Sequence, residues 1–238
     1  MKKLSIRSLI PNIFTFVSLT LGLTSIKFAL EMKWEGAAAM IVFASFIDNI
    51  DGKIARLLKS NSKFGVELDS LSDFISFGVA PAMLVYFWNL STNIENGWAF
   101  VVFYSICSSS RLAKFNLMSL ESEKKNLRFF QGISTPAAAG LVLLPMMFSF
   151  RFDSGLFIDP FLSAALIFIA AILMITNIPT YSLKGIKLNK KILPFLLIIL
   201  AGMISLLISD FWLGMIIVII IYFLSIPIAF FENKKNKL

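Results

Sequence analysis

Long apolar stretches alternate with short polar segments along the whole of this 238-residue chain. Each apolar stretch is close to the roughly 20 residues that an α-helix needs to cross a bilayer. Eight stretches can be read: Leu9–Leu30, Ala37–Leu58, Asp69–Leu90, Trp98–Phe115, Thr135–Phe150, Leu156–Thr176, Ile192–Ile208 and Phe211–Phe231. The pattern therefore predicts an all-α, polytopic integral membrane protein with about eight transmembrane helices.

Positive charges are distributed unevenly between the two sides of this predicted topology. If the N-terminus is cytoplasmic, the cytoplasmic side holds all of the 22 Lys and Arg residues except Lys27, Lys33 and Arg151. Such a bias predicts cytoplasmic termini and a multi-pass protein of the cell (cytoplasmic) membrane. The net charge of +8 then reflects basic loops that face anionic lipid. No nucleic-acid partner is expected, because the chain has no basic, aromatic-interleaved soluble domain.

Two scarce residue types narrow the possible chemistry. The chain has no histidine and a single cysteine, Cys107. Histidine-dependent catalysis and histidine metal sites are therefore excluded, and a metal site would rely mostly on oxygen ligands. A single cysteine also excludes a disulfide within the chain.

A run of spaced polar residues joins the second apolar stretch to the third. It reads D-x-x-D-G-x-x-A-R, eight residues, then G-x-x-x-D-x-x-x-D; its fixed members are Asp48, Asp51, Gly52, Ala55, Arg56, Gly65, Asp69 and Asp73. Helical spacing places Asp48 and Asp51 on one face, and Asp69 and Asp73 on one face of the next helix. Because the connection is short, we expect neighbouring antiparallel helices whose carboxylates converge. Carboxylates in or beside a membrane are unfavourable, so they indicate a functional site.

Converging carboxylates need a counter-charge, because without one some of them would be protonated. A divalent cation such as Mg²⁺ or Mn²⁺ would supply it, and the four aspartates could hold one ion or bridge two. Gly52, Ala55 and Gly65 leave room for a nucleotide or phosphate to approach the backbone. Arg56 adds a cation that can bind phosphate through two parallel hydrogen bonds.

The complete pattern resembles that of the CDP-alcohol phosphatidyltransferases, integral membrane enzymes in which an alcohol displaces CMP from a CDP-linked substrate. The resemblance implies two divalent ions, a general base at Asp73 and a homodimeric assembly. The implied metal ligands are Asp48, Asp51, Asp69 and Asp73. The implied nucleotide and diphosphate site is lined by Gly52, Ala55, Arg56 and Gly65.

Further stretches are similar to the phosphatidylserine synthase branch of that family. They include D-S-L-x-D-x-x-S-F-G-V-A-P-A from Asp69, I-P-N at Ile10–Asn12, R-L-A-K-F-N at Arg111–Asn116 and P-A-A-A-G ending at Gly140. The resemblance covers about residues 8–190 of a single domain, 1–238, and leaves 192–231 as two scaffold helices. It implies CDP-diacylglycerol as donor, L-serine as acceptor, and phosphatidylserine and CMP as products.

Residues outside the aspartate run are candidates for choosing the acceptor. Arg111 and Lys114 share a helix face at the predicted cytoplasmic end of the fourth stretch, where they could bind the carboxylate of serine. Lys184 could reach the same cavity. Asn12 and Thr15, one turn apart at the start of the first stretch, could contact the nucleotide or a metal-bound phosphate.

Alternative functions remain compatible with these patterns. The acceptor could be another alcohol, such as glycerol 3-phosphate or an inositol phosphate, although a phosphorylated acceptor should need more arginines. The lipid could be an archaeal ether lipid. A cation transporter would use the aspartates as an ion path, but it predicts mid-membrane carboxylates and inverted repeats, and neither is visible in the sequence.

Overall fold

The computed structural model describes residues 6–57, 63–121, 129–152, 158–181 and 193–235. Helices account for nearly all of them. The α-helices are α1 (Ile6–Leu30), α2 (Trp34–Leu57), α3 (Lys63–Asp73), α4 (Ala80–Val85), α5 (Ser91–Asn93), α6 (Gly97–Glu121), α7 (Thr135–Phe152), α8 (Pro160–Ile175), α9 (Leu193–Ser209) and α10 (Phe211–Lys235). Two π-helical segments, π1 (Phe74–Val79) and π2 (Tyr86–Leu90), join α3, α4 and α5 end to end.

The predicted fold class is confirmed, because a helical segment lies on each of the eight apolar stretches. Four described segments are long and apolar enough to cross a membrane: Ile10–Leu30, Phe64–Asn93, Thr135–Phe152 and Phe211–Phe230. Two shorter apolar helices, α8 and α9, lie on the sixth and seventh stretches. The protein is therefore an all-α, helical integral membrane protein.

The helix on the third apolar stretch departs most from its sequence-based prediction. Its helix begins at Lys63, six residues before the predicted start at Asp69, and continues through both π segments to Asn93. The difference arises because hydropathy marks the apolar part of a helix, whereas backbone hydrogen bonds decide its length. Asp69 and Asp73 consequently lie inside a helix rather than at its first turn.

A short strand pairing was not predicted. Strands β1 (Phe129–Gln131) and β2 (Pro179–Tyr181) pair antiparallel, with Phe130 opposite Thr180. The chain leaves β1 through Gly132, which has a φ of +72° and donates from its amide to the carbonyl of Ile178 at 2.8 Å. A Cβ at this position would lie 2.8 Å from the carbonyl oxygen of Met174, so glycine suits both the backbone angle and the space.

Small residues bring α1 close to α2 and to the third segment. Ser25 donates to the carbonyl of Ala37 on α2 at 2.8 Å, and Ser18 donates to that of Ala44 at 3.3 Å. Gly22 faces π1 so closely that a Cβ there would lie 2.7 Å from the Cα of Ser76. This packing places the end of α2 beside α3, where the aspartates lie.

Candidate active site

Three of the four predicted metal ligands meet in the structure. Asp48 comes from α2, and Asp69 and Asp73 come from adjacent turns of α3. One carboxylate oxygen from each lies within 4.8 Å of the other two. The fourth, Asp51, is on α2, but its side chain is outside the described part of the structure.

The chemistry of this aspartate cluster fits a metal ion. Carboxylate oxygens are the donors that hard divalent cations prefer. Asp73 Oδ1 is buried and has no hydrogen-bond partner among the described residues. A buried carboxylate oxygen without a partner is costly, and a cation beside it would remove that cost. The cluster could therefore hold a metal ion.

Gly52 lies near the aspartate cluster on α2 and is exposed. Gly52 follows Asp48 by four residues, and, apart from its two neighbours and the backbone of its own helix, no described atom lies within 4 Å of the position that a Cβ would occupy there. Gly65 precedes Asp69 by four residues on α3 and is half-buried. The side chains of Ala55 and Arg56 lie outside the described part of the structure, so their predicted contact with a nucleotide stays a prediction.

The π1 segment starts immediately after Asp73, and side chains from α6 bind its carbonyls. Tyr104 donates its hydroxyl proton to the carbonyl of Phe77 at 2.9 Å, and Ser105 donates to that of Gly78 at 3.0 Å. π-helical turns inside α-helices occur frequently at functional sites. Here the hydrogen bonds from α6 stabilise the π-helical turn that directly follows Asp73.

Helix α1 packs against α3, the helix that carries Asp69 and Asp73. Ser72, next to Asp73, donates to the carbonyl of Thr15 at 3.1 Å. Asn12 and Thr15 are both buried, and the hydroxyl of Thr15 donates to the carbonyl of Pro11 at 3.2 Å. The structure thus places both residues on the helix that supports the aspartate cluster, and their predicted nucleotide contact remains a prediction.

Arg111 and Lys114 point to different neighbours although one turn of helix separates them. Arg111 Nη1 lies 3.5 Å from the hydroxyl oxygen of Thr135, which lies 3.5 Å from Asp73 Oδ2. Lys114 is exposed and donates to the side-chain oxygen of Asn177 at 2.6 Å. Of the two, Arg111 faces the aspartate cluster. Lys184, the third residue predicted to bind serine, lies outside the described residues.

Thr135 and Tyr222 are site residues that sequence reasoning missed. Thr135 begins α7 and is fully buried. Tyr222, on α10, is half-buried and lies beside Ser134, Thr180 and Arg111. The sequence held one signal for Tyr222: it is the one tyrosine in an otherwise apolar helix, α10. The rest of that helix has the composition of a structural helix. Within the described part of the chain, the site is thus built from α2, α3, α6, α7 and α10.

Comparison with known proteins agrees with this geometry. The CDP-alcohol phosphatidyltransferase family model matches residues 8–178, so the chain belongs to that family, as its resemblance predicted. The family is one of transferases that act in phospholipid biosynthesis.

Individual relatives carry a more specific name. The chain is 33% identical to the CDP-diacylglycerol–serine O-phosphatidyltransferase of Mycobacterium tuberculosis, over 93% of this chain and 78% of the relative. It is 37% identical to the protein of that name from Helicobacter pylori, over 81% of this chain and 80% of the relative. A third relative of that name, from Bacillus subtilis, is 37% identical over 60% of this chain and 77% of its own length.

Proposed function

We propose that this protein transfers a phosphatidyl group from CDP-diacylglycerol to L-serine, giving phosphatidylserine and CMP. The observation that carries the proposal is the meeting of Asp48, Asp69 and Asp73 beside the half-buried Arg111. The names of relatives that match most of the chain support serine as the acceptor.

The donor side of the proposed site consists of the aspartate cluster and the open surface at Gly52. Asp48, Asp51, Asp69 and Asp73 would hold Mg²⁺ or Mn²⁺, with two ions if Asp51 joins the described three. A divalent ion bound there would neutralise charge on the diphosphate and on the departing CMP. The residues that would surround the cytidine and phosphates are Asn12, Thr15, Ala55, Arg56 and Gly65.

The transfer step needs one proton acceptor. The serine hydroxyl oxygen forms a bond to the phosphorus that carries the lipid, and the bond from that phosphorus to the bridging oxygen breaks. CMP leaves with the electron pair of the broken bond. The hydroxyl proton passes to the carboxylate of Asp73.

The acceptor side must recognise a zwitterion. Arg111 would bind the carboxylate of serine, because guanidinium groups form paired hydrogen bonds with carboxylates. Its Nε is buried and has no partner among the described residues, so it is available for that contact. Lys114 and Lys184 would add positive charge farther from the reacting atoms. A phosphorylated acceptor would need more cations close to Asp73 than Arg111 supplies among the described residues.

The proposed site opens to the cytoplasm of a cell whose membrane this protein crosses several times. The basic loops support that orientation, because they adjoin the helix ends that carry the aspartate cluster. Labelling of a cysteine placed at Lys237, in a Cys107→Ser background, by an impermeant thiol reagent tests it. The reagent should label this cysteine in lysed cells and should not label it in intact cells. Cross-linking in the membrane tests the expected homodimer.

An acceptor panel tests the function itself. Purified protein in mixed micelles is given CDP-diacylglycerol and Mg²⁺ or Mn²⁺, with serine, glycerol 3-phosphate, an inositol phosphate or no acceptor, and CMP release is measured. We expect release that depends on both serine and metal, with phosphatidylserine as the lipid product. Release that rises with glycerol 3-phosphate and not with serine would overturn the proposed acceptor while leaving the reaction class intact.

A further inference from the structure

In the described part of the chain, the hydroxyl group of Thr135 lies between the proposed base and the proposed carboxylate-binding residue. Thr135 Oγ1 is 3.5 Å from Asp73 Oδ2 and 3.5 Å from Arg111 Nη1. The side chain of Thr135 is fully buried, at 0% exposure. The three residues come from α3, α6 and α7, so this hydroxyl on α7 lies close to side chains from the two other helices.

We propose that Thr135 is a positioning residue that couples Arg111 to Asp73 and so aligns the acceptor with the base. The proposal rests on the proposed function, since it assigns Asp73 and Arg111 to the proton and to the carboxylate. Thr135 is not proposed to touch the reacting atoms.

The hydrogen-bonding capacity of the three groups supports this role. A hydroxyl has one proton and two lone pairs, so it can donate to Asp73 and accept from Arg111 at the same time. It therefore engages one oxygen of the carboxylate and one nitrogen of the guanidinium. The other atoms, Asp73 Oδ1 and Arg111 Nε, are buried without partners in the described structure. Of these two atoms, Arg111 Nε is the one left to meet the carboxylate of an acceptor, since Asp73 is also a proposed metal ligand.

A capping role does not account for the hydroxyl of Thr135. The cap of α7 is supplied by Ser134, whose Oγ accepts from the amide of Ala137 at 3.4 Å and whose carbonyl accepts from the amide of Ala138 at 2.9 Å. The hydroxyl of Thr135 is thus directed at the site instead of at the helix end.

The surroundings hold Thr135 in place. Ile133 is fully buried, and Gly132 is fixed by its bond to Ile178 and by the hydrogen bond from Thr180 to its carbonyl at 3.0 Å. Tyr222 from α10 lies beside Ser134. A residue held on both sides by the fold can set the positions of the two side chains that it contacts, and catalysis is sensitive to such positions.

Two substitutions separate the hydroxyl from the shape of the side chain. Thr135→Val removes the hydroxyl and keeps the volume, whereas Thr135→Ser keeps the hydroxyl and removes a methyl group. We expect Thr135→Val to lower kcat/KM for serine by about tenfold or more, with KM for CDP-diacylglycerol within about twofold of wild type. Thr135→Ser should stay within about threefold of wild type. Thr20→Val is the matched control, because the Thr20 hydroxyl bonds within α1, to Phe16, on an exposed face.

Several outcomes would overturn the proposal. Thr135→Val could keep the wild-type kcat/KM, or Thr135→Ser could be as defective as Thr135→Val, which would assign the effect to packing. Parallel changes in the donor KM and the thermal midpoint would show a structural role only. If wild type uses another alcohol and not serine, the proposed acceptor fails, and the same variants compared with that alcohol still test the coupling. If wild type releases no CMP with any acceptor, both proposals fall.

Discussion

The two ends of the helical bundle treat their polar side chains differently. At the end that holds the aspartate cluster, Asp73 Oδ1 and Arg111 Nε are buried without partners among the described residues. At the other end, Trp212 donates to Glu35 at 2.6 Å, and Arg151 pairs with Asp210. These contacts tie the start of α10 to the start of α2 and the end of α7. Among the described residues, polar atoms at the first end have hydrogen-bonding capacity left over. Polar side chains at the other end bond to one another and so join helices.

The difference separates function from stability. Unpaired buried polar atoms destabilise a fold, and active sites commonly accept that destabilisation because a substrate or ion will satisfy them. Asn89 is an intermediate case: its amide nitrogen donates to Ser163 at 2.9 Å, while its amide oxygen lacks a partner in the described part. A neutral amide oxygen left unpaired is less costly than a carboxylate, so the contrast between the ends holds.

Replacing the proposed base should have the largest effect on activity. Asp73→Asn should lower serine-dependent CMP release by about 10³-fold, within the usual range for loss of a general base and metal ligand. Its thermal midpoint should stay level or rise, because a buried carboxylate is removed. A matched Asp210→Asn variant at the other end should keep activity and lose stability. An Asp73→Asn variant with normal CMP release would break the assignment of the site.

Metal binding should be visible without turnover. Chelation should abolish CMP release, and Mg²⁺ or Mn²⁺ should restore it. Saturating metal at about 100 times its Kd should stabilise the wild type by about 2.7 kcal/mol, which a thermal shift in detergent detects. Asp48→Asn and Asp69→Asn should reduce that shift. An equal shift in these variants and in wild type would place the ion elsewhere.

Two glycines should respond oppositely to alanine. Gly22→Ala should destabilise the protein by about 1–3 kcal/mol, because the new Cβ would meet the backbone of Ser76. Gly52→Ala should raise the thermal midpoint slightly, since alanine favours a helix and the new Cβ would meet no described residue outside its own helix. It should nevertheless raise KM for CDP-diacylglycerol if the space beside Asp48 receives the donor. Unchanged donor kinetics would argue that the donor binds elsewhere.

Removing one hydroxyl from α10 tests whether that helix only supports the fold. Tyr222→Phe should raise KM for serine about three- to tenfold, because Ser134, Thr180 and Arg111 lose a polar neighbour. The donor KM should not change. Tyr86→Phe is the control, since Tyr86 packs its ring on Trp98 at the other end. Identical kinetics for Tyr222→Phe and wild type would indicate that α10 has a structural role only.

The smallest effect is expected where the polar groups are already paired. Trp212→Phe keeps an aromatic ring and removes the donor to Glu35, so it should lower stability by about 1 kcal/mol and leave kcat/KM unchanged. Thermal denaturation and the serine assay, run on the same preparation, check both parts. A loss of activity larger than the loss of folded protein would mean that the two ends are coupled.

Much of the fold could be predicted from hydropathy, and some of it could not. All eight apolar stretches contain a helix, because a membrane requires backbone groups to bond within one segment. The first π segment was not predictable, since its carbonyls bond to side chains of α6, as Phe77 does to Tyr104. The β1–β2 pair joins residues about 50 positions apart, which no local pattern records.

The sequence by itself determined the carboxylates and their spacing. A period of four along α3 necessarily puts Asp69 and Asp73 on one face, and the pattern that begins at Asp48 is sufficient to indicate the family. Tertiary structure alone decided what surrounds them. Arg111 and Lys114 share a helix face, yet packing turns Arg111 toward Asp73 and leaves Lys114 on Asn177. Thr135 and Tyr222 reach the site because α7 and α10 pack there, and side-chain direction across separate helices is set by that packing.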